Sequence, residues 1–556
     1  VPDPDAEPQP PGRIGRIPRV VWAATAAFVA LLAGWSILAP LTEAPDEPAH
    51  LALVLHLADG NGYPAFDGLE NQVAVGRLCR THGAATRACP REGEVVTRTS
   101  VRRHPAADAP NRATRPAWDD EGGDASTGRL NQMPQHPPLY YQLMASVLRV
   151  ERAVLGGPAS LDRELALLRL ANVVLVAPLP LLAWWAAARF RAGRSVAVAA
   201  AVAVLAVPML THIGSVLNND NLLVLLGSVA AALLTGVARG DRSRGTAVAL
   251  GVVTGLALLT KASAIVLPPA IVAAYLAGSA PAVAGGRRAL RSVLAPLGMA
   301  AVATAAVAGW WYVGTRARTG SFTPSIERDR YTAALAPEGF RPDPGAFADE
   351  LVGNLVQRFW GSFGWYSVRF WAPVAVLATV VVAGLVVTAL VPRRGVGGSD
   401  RWQRASLLVP FVGLVVVVAA RAWSLYAASS LFQFLQGRYL FPGIVGVLVL
   451  AAAGLVRVAG RWAPVAAVGA AVVLQGEGVR RSLDVWWGGP GVGPLDQLRA
   501  MVAWGSWPGP VVAAGAVAGI VAVAWFAVEL GREVRANPTT AATSTPKPAT
   551  SAANPA

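Results

Sequence analysis

Charge is scarce in this chain. Lys, Arg, Asp and Glu make up 15% of its 556 residues against 54% hydrophobic ones, and the mean hydropathy is +0.45. That balance excludes an ordinary soluble globular protein, in which about a quarter of residues are charged. Ionisable groups are scarcer still in the middle of the apolar runs. Ion-coupled transporters keep charges near the bilayer midplane, at broken helices, so this absence argues against that class. No internal repeat relates the two halves, and a second transporter signature is missing with it. The net charge is +15, yet no motif that reads DNA or RNA accompanies it, and nucleic acid is not an expected partner. The arginines lie between apolar runs instead, where they set topology.

Cysteine is nearly absent as well. Cys79 and Cys89 are the only two, both in the hydrophilic segment after the first apolar run, and in an oxidising compartment they would close a short disulfide loop. What is abundant is apolar sequence of membrane-crossing length. A Pro-rich polar stretch and Arg13, Arg16 and Arg19 precede a run from Val20 to about Leu41. About 20 apolar residues cross a bilayer, and a cleavable signal would have a shorter core, so the run reads as an uncleaved signal anchor with its N-terminus inside. Further runs lie near 165–189, 195–211, 221–238, 245–260, 262–279, 292–313, 370–391, 405–421, 439–456, 462–476 and 509–530, which makes about twelve spans.

Alternation from an inside N-terminus puts the clusters at 189–194, 239–244, 287–288, 393–394, 457–461 and 532–535 all on the cytoplasmic side, as basic loops prefer. The expected fold is an all-α polytopic membrane protein in the plasma membrane with both termini cytoplasmic. Its N-terminal tail covers 1–19, its disordered Pro-, Thr-, Ala- and Ser-rich tail 531–556, and its long exofacial segments 42–164, 314–369 and 477–508. A thirteenth span at 137–155 would move every later basic cluster outside, so an in-plane or re-entrant helix is expected there. The stretch 245–278 is too long for one span and must turn back at Lys261, on the exofacial side.

Charge gathers at these exofacial ends. Pro45-Asp46-Glu47-Pro48-Ala49-His50 holds two adjacent carboxylates and an imidazole just past the first span, where like charges have little reason to sit unless something uses them. An N-cap for a helix opening at Pro48 would account for one carboxylate and leave the other unexplained. His50, four residues after Asp46, would share its helix face, as a catalytic group or as one that orients the acidic pair. Arg438, in Gln436-Gly437-Arg438-Tyr439, opens a span on the side where topology disfavours a positive charge, which points to phosphate binding. Arg169 is a weaker candidate for that task. Lys261 reads either as snorkelling to the interface or as holding an anion. Asp220, in Asn218-Asn219-Asp220-Asn221, is a helix cap or part of the site, and His136 opens a Pro-Pro turn whose tyrosines suit an interface. Trp360 and Trp365 form an aromatic belt, a stacking surface for a sugar, or a wall for a polyprenyl chain.

The acidic pair, Pro137-Pro138-Leu139-Tyr140, Asp220 after Asn219, and Leu259-Thr260-Lys261 resemble, in their order, the class C glycosyltransferases, multispanning enzymes that use polyprenyl-phosphate sugars. Pro45–His50, the Trp360–Trp365 block and Gln436–Pro442 resemble more closely a bacterial membrane family of unknown function placed near that class. This likeness covers about residues 20–460, with 461–530 adding C-terminal helices. It implies an inverting hexosyl- or pentosyltransferase that moves a sugar from a polyprenyl-phosphate donor to an exofacial cell-envelope glycan, lipid or protein.

The family pattern assigns Asp46 and Glu47 to the catalytic centre; since an attacking hydroxyl must lose its proton, Asp46 is expected as the general base, with Glu47 positioning acceptor or donor. Where the lipid A branch has a phosphate-binding Lys before Pro-Pro-Leu, this chain has His136, so Lys261 and Arg438, with Tyr439 beside them, carry more of the expected donor binding. No cofactor is certain from the sequence; Asp46, Glu47 and Asp220 could supply oxygen ligands to a divalent cation. Two rival functions are a lipid-linked sugar flippase and a noncatalytic envelope-assembly scaffold. The Ala, Val, Arg, Gly and Pro bias points to a high-GC genome such as that of an actinobacterium.

Overall fold

The computed structural model describes residues 16–82, 112–123, 125–279, 287–326, 336–391 and 398–536. Proline and glycine punctuate its helices. α1 (Arg19–Leu38) follows Pro18 and ends two residues before Pro40, whose ring and missing N–H bar continuation. Its buried Val20, Ala24, Ala27, Phe28, Leu32 and Trp35 recur at helical spacing. α2 (Glu47–Ala58), α3 (Val73–His82) and α4 (Leu139–Leu155) belong to the polar segment, together with the antiparallel pair β1 (Glu70–Gln72) and β2 (Ser126–Leu130). None of the three helices is among those long and apolar enough to cross a membrane.

α5 (Leu161–Val176) and α6 (Leu179–Arg189) form one apolar stretch of 29 residues. α7 (Arg194–Ala203) runs on to Ala206 and meets α8 (Pro208–Gly214) at 71°, because Pro208 lacks the N–H that would extend the ladder. α9 (Asp220–Ala238), α10 (Arg244–Leu258) and α11 (Leu267–Ser279) follow, with the break between the last two at Leu259-Thr260-Lys261. Then come α12 (Arg287–Thr319), α13 (Pro344–Trp360), the hairpin β3 (Ser362–Phe363) with β4 (Val368–Arg369), α14 (Ala372–Leu390), α15 (Gly398–Ser406) and α16 (Val409–Ser429). α17 (Ile444–Ala459), α18 (Ala463–Trp486), α19 (Pro494–Trp504) and α20 (Gly509–Ala536) follow. α1 lies against α20 and the α5–α8 group, and α7 packs on α6, α17 and α18.

The fold class is the expected all-α polytopic one. The expected twelve crossings are not confirmed as a count: among the described residues nine stretches are long and apolar enough to cross a membrane, or ten if the bent α7–α8 pair is one span. α10, with 15 residues, falls short of a crossing length, and α17 and α18 lie within one apolar stretch of 50 residues. Cys79 is buried and is not a free thiol; its expected partner Cys89 lies outside the described residues.

Loops expected on one side do meet. Arg189 pairs with Asp241 at 2.7 Å, Arg239 with Asp400 at 2.8 Å, and Arg194 with Glu533 at 2.7 Å. α9 runs from Asp220 at the opposite end of the bundle to this arginine-rich end, a length of about 28 Å.

One close helix pair, α10 with α12, is built on small residues. A Cβ on Gly251 of α10 would lie 2.4 Å from the Ala300 carbonyl oxygen of α12, and one on Gly255 would lie 2.6 Å from Val307 Cβ. A small-xxx-small face lets backbones approach where lipid is as apolar as the neighbouring helix. Thr304 Oγ1 donates to the Gly251 carbonyl at 3.0 Å, and Tyr312 OH to that of Leu258 at 2.9 Å. Gly251→Leu is expected to destabilise the protein by about 1–3 kcal/mol through overpacking, read as a lower melting temperature in detergent. Gly298→Leu, which meets open space, should leave melting unchanged.

Candidate functional site

The turn between α1 and α2 presents the two acidic residues in opposite directions. Asp46 stands at the N-cap of α2 with φ 65, a left-handed conformation that Asp tolerates, and its side chain caps nothing. Its Oδ2 instead accepts from Arg438 Nη2 at 2.9 Å and its Oδ1 from Gln132 Nε2 at 3.3 Å. Glu47 turns inward. Its two oxygens accept from Arg169 Nε and Nη2 at 2.8 and 2.7 Å, and one also accepts from the Leu217 backbone N–H at 3.1 Å. The remaining Arg169 donors close the carbonyls of Ser36, Ala39 and Pro40 at the end of α1. Both side chains are fully buried, and neither lines a cavity shared with Asp46. Glu47, expected in the catalytic centre, and Arg169, the weaker candidate for phosphate binding, thus meet each other as a buried, bidentate pair.

Asp220 opens α9. Asn218 Oδ1 accepts the Asp220 backbone N–H at 2.8 Å, and the helix N-terminus favours the carboxylate there. Lys261 Nζ reaches Asp220 Oδ1 at 2.5 Å from the break between α10 and α11, and lies 4.5 Å from the centre of the Tyr439 ring. Arg438 sits in the 3-10 turn Gly437–Gly443 that leads into α17, its Nε 3.6 Å from Asp220 Oδ2. Gly437 is required at this crossing, since a Cβ there would come within 2.2 Å of the Phe359 backbone nitrogen. Two Arg438 nitrogens, Nε and Nη1, are buried with no hydrogen-bond acceptor among the described residues. Four charges thus alternate in a row: Asp46, Arg438, Asp220, Lys261.

A cavity of about 340 Å³ opens beside them, lined by Asp46, His50, His136, Lys261, Arg438 and Tyr439, with Trp311, Tyr312, Phe322 and Phe434 as its aromatic wall. His50 Nδ1 shares a hydrogen bond with Tyr141 OH at 3.0 Å, and Asn219 Nδ2 donates to the same hydroxyl at 3.5 Å. His136 is set by its backbone, whose carbonyl accepts from Tyr63 OH at 2.7 Å. Burial first, then the positive charge of Lys261, lowers both imidazoles to about 3, so both are neutral at pH 7. A neutral His136 hydrogen-bonds but brings no charge to a phosphate.

Trp360 and Trp365 do not reach the cavity. Trp360 Nε1 donates to Thr379 Oγ1 at 2.7 Å and Trp365 Nε1 to the Thr42 carbonyl at 3.2 Å, so both brace the β3–β4 hairpin. The aromatic wall comes from residues that sequence reasoning passed over. Gln132 and Arg421 were missed too, and Tyr141 was read only as suited to an interface; Arg421 carried a signal, as a lone cation in α16 at the point where its apolar run was expected to end. The three carboxylates named as candidate cation ligands each have a basic side chain as partner. Arg438 stands between Asp46 and Asp220, Glu47 faces Arg169, and among the described residues no three His, Cys, Asp or Glu side chains cluster as metal ligands.

Residues 29–447 match the family described as predicted membrane protein (DUF2142). The crystal structure of ArnT from Cupriavidus metallidurans bound to undecaprenyl phosphate is similar at 15% identity over 93% of this chain and 77% of that one, with a TM-score of 0.43. The oligosaccharyltransferase of Archaeoglobus fulgidus in the apo form is similar at 12% identity over 87% and 60%, with a TM-score of 0.38. No curated protein matches the chain.

The neutral His50 has a consequence for stability. As pH falls from 6.5 toward 3, the unfolded chain takes up a proton that the folded one refuses, so His50 stabilises above its ordinary pKa and that contribution is lost on acidification. Wild type is expected to lose roughly 2 kcal/mol more than His50→Gln between pH 7 and pH 5, measured by denaturation at each pH. Equal losses would contradict a neutral buried imidazole.

Proposed function

The chain belongs to the DUF2142 family of predicted membrane proteins, and we propose that this member is an integral membrane glycosyltransferase. Its donor is a sugar carried on a polyprenyl phosphate, and its acceptor an envelope glycan, lipid or protein on the outer face of the plasma membrane. One observation carries this reading: a partly exposed carboxylate, Asp46, and two cations, Lys261 and Arg438, converge on one cavity wall. Support for the outer face comes from the arginine-rich loops, which gather at the other end of the bundle, where the positive-inside rule would put the cytoplasm. The order of motifs that resembles class C glycosyltransferases agrees with it.

The chemistry follows from the parts. Arg438, with two buried N–H groups lacking an acceptor, and Lys261 hold the donor phosphate. Asp46 takes the proton of the acceptor hydroxyl as its oxygen attacks the anomeric carbon. The bond from that carbon to the phosphate oxygen breaks, and the electron pair leaves on the phosphate, where the two cations stabilise the growing negative charge. One displacement inverts the anomeric centre. Asp220 keeps the two cations aligned, and the neutral His50 and His136 offer hydrogen bonds to hydroxyl groups. No step needs Glu47, Arg169 or a metal ion.

A flippase would need polar groups along its crossing path, whereas these charges stand at helix starts and breaks. Transfer of a labelled sugar by purified protein in lipid nanodiscs separates the readings. Asp46→Asn is expected to lower turnover by roughly 10²–10⁴-fold while a polyprenyl-phosphate probe still binds, and Lys261→Ala to raise the donor KM. Full turnover in Asp46→Asn would sink the assignment.

A further inference from the structure

Asn218-Asn219-Asp220-Asn221 stand at the start of α9, and three of the four side chains are matched inside the protein. Asn219 Nδ2 donates to Tyr141 OH at 3.5 Å, and Asp220 Oδ1 takes Lys261 Nζ at 2.5 Å. Asn221 Nδ2 donates to the Val216 carbonyl and to Asn172 Oδ1, each at 2.9 Å. Asn218 differs. Its Oδ1 accepts the Asp220 backbone N–H at 2.8 Å, which settles which end of the carboxamide is oxygen and turns Nδ2 away from that bond. Nδ2 is buried and has no hydrogen-bond acceptor among the described residues, while Asn218 is 1% exposed and lines the cavity. Native structures rarely leave a buried amide donor unmatched.

The neighbours of Asn218 set this donor beside the reacting groups. Asp220, whose N–H it holds, is bonded to Lys261 and lies 3.6 Å from Arg438 Nε. On the other side, Asn219 reaches Tyr141 OH, and His50 Nδ1 meets the same hydroxyl at 3.0 Å. Asn218 thus adjoins both cations through Asp220 and the neutral His50 through Asn219, and all five of these residues other than Asp220 line one cavity. A carboxamide N–H is uncharged and only donates, which suits the oxygen of a hydroxyl group, whereas the phosphate is matched by the two cations. In a sugar 1-phosphate the anomeric carbon carries the phosphate oxygen, and the hydroxyl nearest to it is the one on the adjoining carbon, C2.

We propose that Asn218 is a specificity-determining residue, whose Nδ2 donates to the C2 hydroxyl of the transferred sugar while Lys261 and Arg438 hold its phosphate. This role rests on the glycosyltransferase reading and narrows its donor to sugars that keep an oxygen at C2. A sugar without that oxygen would leave the amide buried and unmatched, and sites built to bond a hydroxyl reject such analogues strongly.

Equilibrium binding to the full chain in nanodiscs tests it with farnesyl phosphate carrying glucose, mannose or arabinose, each paired with its 2-deoxy form, and with bare farnesyl phosphate as the reference. Wild type is expected to bind at least one parent sugar lipid about tenfold or more tightly than its 2-deoxy form. Asn218→Ser keeps a side-chain oxygen two residues before the Asp220 N–H and lacks the amide donor. It should bring that ratio to about one, while bare farnesyl phosphate binds within about twofold of wild type because no cation is touched. Asn218→Ala gives a second reading should Asn218→Ser fold poorly. A ratio near one in wild type for all three sugars, or a preference that survives both substitutions, overturns the proposal. Sugar lipids that bind more tightly than bare farnesyl phosphate with no preference at C2 sink this role and leave the transferase reading standing, which the Asp46→Asn transfer assay tests by itself.

Discussion

One guanidinium between two carboxylates organises the polar end of this molecule. Arg438 enters from the turn before α17, Asp46 from the turn after α1 and Asp220 from the start of α9, so a single side chain ties together segments far apart in sequence. Lys261 joins from the break after α10 and closes the row. In a poorly hydrated site each charge needs an opposite neighbour, and removing one partner commonly costs several kcal/mol because the other is left buried alone. The alternation of sign along the row is what allows four ionised groups to sit beside apolar helices.

The same rule separates two carboxylates that are neighbours in sequence. Asp46, at the N-cap with φ 65, stands outside the helical turn that Glu47 opens, and the two neighbouring side chains leave the backbone toward different partners. Glu47 is 0% exposed and is satisfied by Arg169 and a backbone N–H. Asp220 is 1% exposed and locked against Lys261, whereas the Asp46 side chain is 26% exposed. Accessibility, more than acidity, singles out Asp46 as the group that can meet a hydroxyl. Glu47 and Arg169 do a different job: they fasten the end of α1 to α5, and that joint fixes where the turn carrying Asp46 begins.

Much of the helix order was legible because apolar runs and arginine clusters alternate along the chain, and Lys261 marked a break that hydropathy and length required. Arg438 was legible because a cation at its position had no topological reason. Facing was not legible. Nothing in the block around Trp360 and Trp365 says whether an indole meets a ligand or packs on its own hairpin, and packing won through Thr379 and the Thr42 carbonyl. Arg421 was lost for a related reason: a charge reads as the end of a span, so the run was closed at residue 421, while α16 continues to Ser429 and keeps the arginine inside. Pairing across the fold, as between Glu47 and Arg169, leaves no local pattern at all.

Four of the six described non-glycine residues at positive φ follow the same geography. Thr42, Asp46, Tyr366 and Phe434 are non-glycine residues with φ between 62 and 65, and all four lie in turns that carry or brace the row of charges. Each such conformation costs on the order of 1–3 kcal/mol, so it persists only where contacts over-determine it. Here they do: the fully buried Glu43 accepts from Ser367 Oγ at 3.0 Å beside Thr42, Tyr366 OH bonds to Gln436, and Arg358 stacks 4.4 Å from the Tyr366 ring centre while donating to the Leu435 carbonyl at 2.9 Å. The hairpin and the turn before α17 are thereby one braced unit. A carboxylate held against a guanidinium by such a frame has its direction set before any ligand arrives, which is the condition under which fixed charges stabilise a transition state without reorganising.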